Sequence, residues 1–242
     1  MLKSLRLQNY RCFDDHTVTL HNATVVVGKN NAGKSTIVEA LHLIAAIVNR
    51  SSATFSIAPP SLDLPHYTRC INPSIAHLDL NLDTAFHRYQ APPAILTATF
   101  TNDATVTAYL HSEGIHAIVH NKKGWIVSNN AFLSLQIPHI HILPQIGPLL
   151  AEESLLTQKH VTDNYYTCLS SRHFRNQLHR NPAHYKDFAT LAESTWQGLQ
   201  IRPIDPETLK LLVRDGDFTA EVGWMGHGLQ MWLQTMWFLA KT

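Results

Sequence analysis

Residues 28–36 read Gly28-Lys29-Asn30-Asn31-Ala32-Gly33-Lys34-Ser35-Thr36 and fit the spacing G-x-x-x-x-G-K-[ST]. Glycine at the first and sixth places, with the small Ala32 beside the second, lets backbone N–H groups point inward on a concave loop, where phosphate oxygens are held. In that arrangement Lys34 reaches the β- and γ-phosphates of a nucleoside triphosphate, and the Ser35 hydroxyl ligates Mg²⁺. The alternative for the same residues is an ordinary glycine turn with Lys34 pointing to solvent.

The flanking sequence supplies the elements such a loop needs. Residues 24–27, Thr-Val-Val-Val, form a β-branched run suited to a strand buried on both faces. After the loop, Ile37, Leu41, Ile44 and Val48 recur at helical spacing, so residues 36–49 are expected to form a helix whose positive N-terminal end faces the phosphates.

The rest of the chain reads as an α/β organisation. Leu5 and Leu7, then Val18 and Leu20, alternate with polar residues and predict two half-buried strands before the loop. Residues 51–73 are rich in Ser and Pro and read as a loop. Strands are expected at 95–100, 105–110, 115–120 and 125–127, separated by Asn102-Asp103, Glu113-Gly114 and Lys123-Gly124, as in an antiparallel meander. Residues 140–143 read as a strand ending at Pro144, and residues 148–200 as helical with an interruption at Pro182. Asp215-Gly216 between the apolar runs 209–213 and 218–222 is a hairpin signal. A glycine turn at 226–228 then opens an apolar helix over 229–240. A parallel-type nucleotide core carrying an antiparallel β arm is the expected combination.

Composition narrows the class. The chain has 242 residues, 45% of them apolar, and a formal net charge of +1, so no uniform basic field marks it for nucleic acid. Cys12, Cys70 and Cys168 lack C-x-x-C spacing, which argues against a disulfide framework or a cysteine zinc site. The N-terminus lacks a signal-peptide core and no apolar run reaches membrane-spanning length, so a cytoplasmic protein with no membrane partner is expected. An Asn-Lys-x-Asp base-reading motif is missing, the nearest match being Asn121-Lys122-Lys123-Gly124, and no arginine-rich lid is evident; small GTPases and nucleotide kinases fit poorly.

The order of motifs resembles the ABC-type ATPase heads of the RecF, SMC and OLD (overcoming lysogenization defect) group within the AAA-family ATPases. That resemblance rests on Leu5-Arg6-Leu7-Gln8-Asn9-Tyr10-Arg11-Cys12-Phe13, then the loop from Gly28 to Thr36, then Glu39-Ala40-Leu41. It is close over residues 2–44 and weak over 50–135. It implies a P-loop NTPase fold of the ABC-head type, with ATP and Mg²⁺ as ligands held by Gly28, Asn30, Asn31, Ala32, Gly33, Lys34, Ser35 and Thr36. It also implies a homodimer, or a partner ATPase half, closing across the nucleotide.

Gly223-Trp224-Met225-Gly226-His227-Gly228-Leu229-Gln230 resembles the signature segment of these heads, and Gly226 and Gly228 would then contact a neighbour's γ-phosphate; Met225 stands where many members have Ser. Glycines that merely cap the last helix are the other reading. Arg11 corresponds to an arginine that lies beside the nucleotide in the family, or else is a surface-strand arginine. Gln145 has roughly the place of the glutamine that senses Mg²⁺ and the attacking water, or is a solvated turn residue. Arg172, His173 and Arg175 fall on an expected helix, either touching nucleotide, nucleic acid or a partner, or forming a solvated face. His139 and His141, two apart on a strand, share one face as some metal pairs do, but no acidic or cysteine companion completes a site.

Hydrolysis in this family needs an apolar strand ending in Asp-Glu. Glu152-Glu153 sits on an expected helical stretch and Asp79 and Asp83 in alternating polar sequence, so no catalytic carboxylate is assigned. That strand follows the signature helix in the family, and the sequence stops at Thr242; an incomplete single head is the expectation. Its parts are residues 1–50 (strands, loop and helix), 51–147 (loop and antiparallel β arm), 148–206 (helical segment) and 207–242 (hairpin and signature helix). Two function classes follow. One is the N-terminal portion of an ATPase coupling head dimerisation to transactions on DNA, such as repair or anti-phage defence. The other is a non-hydrolysing remnant or regulatory subunit that only binds nucleotide or a partner ATPase.

Overall fold

A computed structural model describes every residue except Ser51, His66, residues 74–79, Glu113, Gln145, residues 166–168 and Thr242; the side chain of Asp163 is likewise outside the description. The chain divides into two compact units, Met1–Ile140 and His141–Thr242.

The first unit is built on one sheet. Strands β1 (Leu2–Tyr10) and β2 (Phe13–Thr19) form a hairpin, followed by helix α1 (Lys34–Val48), the short strands β3 (Phe55–Ile57) and β4 (Arg69–Ile71), and the meander β5 (Ala94–Phe100), β6 (Thr105–His111), β7 (Gly114–Asn121) and β8 (Gly124–Ile126), closed by helix α2 (Asn129–Ser134). The sheet order is β2-β1-β5-β6-β7-β4-β3, with β8 also on β7. The alternation that predicts β1 holds: Leu5 and Leu7 are fully buried while Ser4 and Arg6 face outward. Along β5, Ala94, Leu96, Ala98 and Phe100 point into the same core. Helix α1 covers this face with Leu43, Ile44 and Ile47, each of which contributes roughly 1.5–3 kcal/mol by leaving water. The expected loop 51–73 holds β3 and β4, which pair with each other and reach β7 through Ile71 opposite Ala117.

Three expectations for this unit need correction. Residues 24–27 form no strand: Val25 and Val27 are each 85% exposed. A β-branched run becomes a strand only when a neighbour accepts its backbone hydrogen bonds, and among the described residues none pairs with it. Consequently every strand pairing among the described residues is antiparallel, and the parallel-type core is not formed. The strand expected over residues 140–143 is not formed.

The second unit packs helices α3 (Gln158–Asp163), α4 (Phe174–Arg180) and α5 (Tyr185–Thr195), a three-stranded sheet and the long helix α6 (His227–Lys241). The sheet comprises β9 (Leu199–Ile201), β10 (Leu212–Asp215) and β11 (Phe218–Glu221), ordered β11-β10-β9, with the expected Asp215-Gly216 hairpin between the last two. Leu229, Leu233, Met236 and Trp237 of α6 close a core with Phe174, Leu178 and Phe188. Leu199 and Gln200, at the end of the stretch 148–200 expected to be helical, belong instead to β9, and residues 148–157 at its start carry no helix. A buried ion cluster accounts for their course: Arg175, 1% exposed, donates to both carboxylate oxygens of Glu221 at 2.7 Å and to Glu153 Oε1 at 3.1 Å. Glu153 also accepts the N–H groups of Arg175 and Asn176 at the start of α4, so the acidic segment is spent capping a helix rather than forming one.

Candidate phosphate-binding site

Helix α1 begins at Lys34 behind Gly33, whose φ of 91° is left-handed. Glycine is demanded there twice over: the backbone is unfavourable for any L side chain, and a Cβ would stand 2.5 Å from Phe13 Cζ and 2.7 Å from Cys12 Sγ. Asn31, also left-handed at φ 65°, turns the loop before it, and the Ala32 N–H closes the turn on the Lys29 carbonyl at 3.2 Å. Lys34 Nζ donates to the carbonyls of Gly28 and Lys29, both at 2.8 Å, folding the ammonium back along the loop. Whereas α2 and α3 are capped by the side chains of Ser128 and Thr157, α1 has no side-chain cap and no acidic residue in its first turn. Its first N–H groups and the positive end of its dipole are therefore available to an anion.

A cavity of about 690 Å³ opens at this helix end, the size of a small-molecule site. Asn30, Asn31, Gly33, Lys34, Ser35 and Thr36 form one part of its lining, whereas Gly28 and Ala32, expected to bind the ligand with them, are not part of it. Arg11 and Cys12, from the turn between β1 and β2, supply another part. The remainder comes from Thr84, Phe86, Arg88 and Tyr89, a segment that sequence reasoning did not single out. The described lining holds three cations, Lys34, Arg11 and Arg88, and no carboxylate, a composition that attracts polyphosphate.

The Asn9-Tyr10-Arg11 stretch builds this wall. Asn9 and Arg11 are left-handed, at φ 50° and 51°. Asn9 Nδ2 donates to the carbonyls of Ala91 and Pro93, and its Oδ1 accepts the His87 N–H at 3.1 Å. The Arg11 N–H reaches the Ala85 carbonyl at 2.7 Å, and His87 Nδ1–H donates to the Arg11 carbonyl at 2.9 Å. Residues 85–93 are thereby pinned beside the loop. The Arg11 guanidinium donates to both oxygens of Glu39 at 3.0 Å and to Thr84 Oγ1 at 2.7 Å. Tyr10 donates to the same Glu39 carboxylate. Burial, reinforced by Glu39, pushes the Tyr10 phenol far above its usual range, and the hydrogen bond to Glu39 raises Arg11 further. Arg11 thus lines the cavity with its charge already paired.

Other sequence candidates lie elsewhere. Gly226 precedes α6 and Gly228 sits in its first turn. Neither has a positive φ, and an added Cβ at either would meet nothing within 4 Å. Arg175 belongs to the buried cluster, which corrects both readings offered for it; it is neither solvated nor free for a ligand. His139 and His141 are not on a strand, so the one-face geometry does not arise, and among the described residues no group of three or more His, Cys, Asp or Glu could hold a metal ion. Asp83 sits in a short 3-10 turn, Leu82–Thr84. Gln145, Asp79, Glu113 and Cys168 lie outside the described residues. No helix among the described residues is long and apolar enough to cross a membrane.

A bare, glycine-started helix end thus faces a cationic cavity. The AAA ATPase domain family matches residues 1–177, and the chain belongs to that family. A segment of 57 residues is 42% identical to an OLD nuclease of Thermus scotoductus, which agrees with the OLD/RecF group within the family. The match spans 24% of this chain and 11% of that relative's length.

Proposed function

We propose that this chain binds ATP with Mg²⁺ at the cavity beside α1, as an ABC-type head whose nucleotide-dependent association acts on nucleic acid. The observation that carries the reading is the uncapped α1 N-terminus, with left-handed Gly33 and Lys34 and Ser35 at the cavity. Backbone N–H groups of the first turn would hold the phosphate chain, and Lys34 would exchange the carbonyls of Gly28 and Lys29 for phosphate oxygens. The residues present fit Mg²⁺ bound through nucleotide: Ser35 offers one hydroxyl, and this ion takes its other ligands from phosphates and water. When bound, the ion would neutralise phosphate charge; everything else rests on the loop.

Gly226 and Gly228 support association across the nucleotide. The fold does not itself require glycine at either position, whereas close approach of a neighbour's phosphate to the α6 N-terminus would. An OLD-like role in DNA repair or anti-phage defence, in the cytoplasm, is part of the same proposal. The second reading, nucleotide binding without hydrolysis by these residues, is favoured by the lack of a carboxylate in the described lining. Sedimentation velocity with a non-hydrolysable ATP analogue and Mg²⁺, with and without duplex DNA, tests the association. An analogue-dependent dimer that is lost in Gly228→Trp supports it; a monomer under all conditions, with the analogue demonstrably bound, contradicts it.

A further inference from the structure

The cavity contains two side chains that the phosphate loop leaves unexplained. Arg88 and Tyr89 end the short helical turn His87–Tyr89, and both are left-handed, at φ 51° and 58°. Such backbone is costly for residues of this type, by an amount the surrounding contacts must offset. Those contacts are the anchors from Asn9 and Arg11 and the Tyr89 N–H on the Phe86 carbonyl at 3.2 Å. The result is an aromatic ring left 84% exposed, with no ring partner among the described residues, at the rim of a polar cavity. Beside it Arg88 makes no hydrogen bond or ion pair among the described residues. Lys34 is engaged on two carbonyls and Arg11 on Glu39 and Thr84. Arg88 is thus the cation of the lining that has no internal partner.

We propose that Arg88 and Tyr89 form the nucleoside clamp of this site, with the Tyr89 ring stacked on the base and the Arg88 guanidinium paired with the phosphate chain. This rests on the reading of the cavity as a nucleotide site and assigns it a preference for nucleoside triphosphates over bare polyphosphate, without a choice of base. An exposed, otherwise unsupported ring gains from covering a π-face, and every base has one, so stacking on Tyr89 does not choose between adenine and guanine. The phenol hydroxyl is not needed for it. Arg88, by contrast, acts on charge and serves any polyphosphate equally.

Equilibrium binding of Mg·ATP, Mg·GTP and Mg·tripolyphosphate to the full chain separates the two roles. Tyr89→Ala is expected to weaken ATP and GTP by about 5–30-fold and to leave tripolyphosphate within about twofold, while Tyr89→Phe binds all three like wild type. Arg88→Ala is expected to weaken all three by a similar factor of about 10. Equal loss of tripolyphosphate and ATP in Tyr89→Ala, or no loss of either, overturns the clamp. Lys34→Ala keeps the two levels apart. If ATP binding depends on Lys34 and is indifferent to Tyr89, only the clamp falls; if wild type binds none of the three, the nucleotide reading and the clamp fall together.

Discussion

Arg11 in the turn after β1 and Glu39 in helix α1 meet in a two-pronged ion pair, with both N···O distances 3.0 Å. The pair joins the first hairpin to the phosphate-loop helix, and the buried Tyr10 hydroxyl shares the same carboxylate. Glu39→Ala is therefore expected to leave a buried phenol without an acceptor and a guanidinium without its counter-charge. The cost should be about 1–3 kcal/mol, read as a lower urea midpoint at unchanged slope. Glu39→Gln, which keeps an acceptor for Tyr10, should lose less; equal losses would mean that the charge alone matters.

Cys12 is an exposed free thiol in the cavity lining, 3.8 Å from Thr36 Oγ1. A nucleotide in the cavity should shield it. Alkylation at Cys12, followed by peptide mass mapping, is expected to slow severalfold with Mg·ATP in wild type and not in Lys34→Ala. An alkylation rate indifferent to nucleotide in wild type would count against occupancy of this cavity.

Arg175 is buried between Glu153 and Glu221, with side-chain exposures of 2% for Arg175 and 1% for Glu153. Removing the cation strands a carboxylate in the core, so Arg175→Met should cost about 3–5 kcal/mol. Replacing Glu153, Arg175 and Glu221 together by apolar residues should recover part of that loss. Thermal unfolding followed by circular dichroism reads both, and a triple variant less stable than Arg175→Met would show that the cluster acts through more than paired charge.

His173 has its Nδ1 buried without a hydrogen-bond partner among the described residues, and its ring lies 5.0 Å from that of His160. Burial, then the neighbouring His160, lowers its pKa below the ordinary histidine value of 6.5. The unfolded chain therefore takes up the proton first as pH falls. The contribution to stability is complete above about 6.5 and is lost as pH drops through the lowered folded value. Urea midpoints at pH 7.5 and 5.5 should differ less in His173→Gln than in wild type; an unchanged difference would remove His173 from the pH response.

Elements with a local signal were legible from sequence. The alternation in β5, β6 and β7, the Asp215-Gly216 turn and the helical spacing in α1 and α6 each depend on residues a few places apart, and all formed. Residues 24–27 had an equally strong local signal and failed, because a strand also needs a neighbour. The loop half of the site was legible for the same reason as α1. Arg88 and Tyr89 were not, since the bonds that bring them there join His87 to Asn9 and Arg11 across more than seventy residues. Nor was the Arg175 cluster, whose partners lie 22 and 46 positions away; a basic stretch on a helix looks solvated until its carboxylates are located.

The central claim is that the cavity at the α1 N-terminus holds Mg·ATP through Lys34. Isothermal titration of Mg·ATP into the purified chain tests it most directly, with Lys34→Ala as the control. Saturable one-to-one binding that weakens by about 10–100-fold in Lys34→Ala is the expected result. Absence of saturable binding in wild type, or equal affinity in the two proteins, would contradict it.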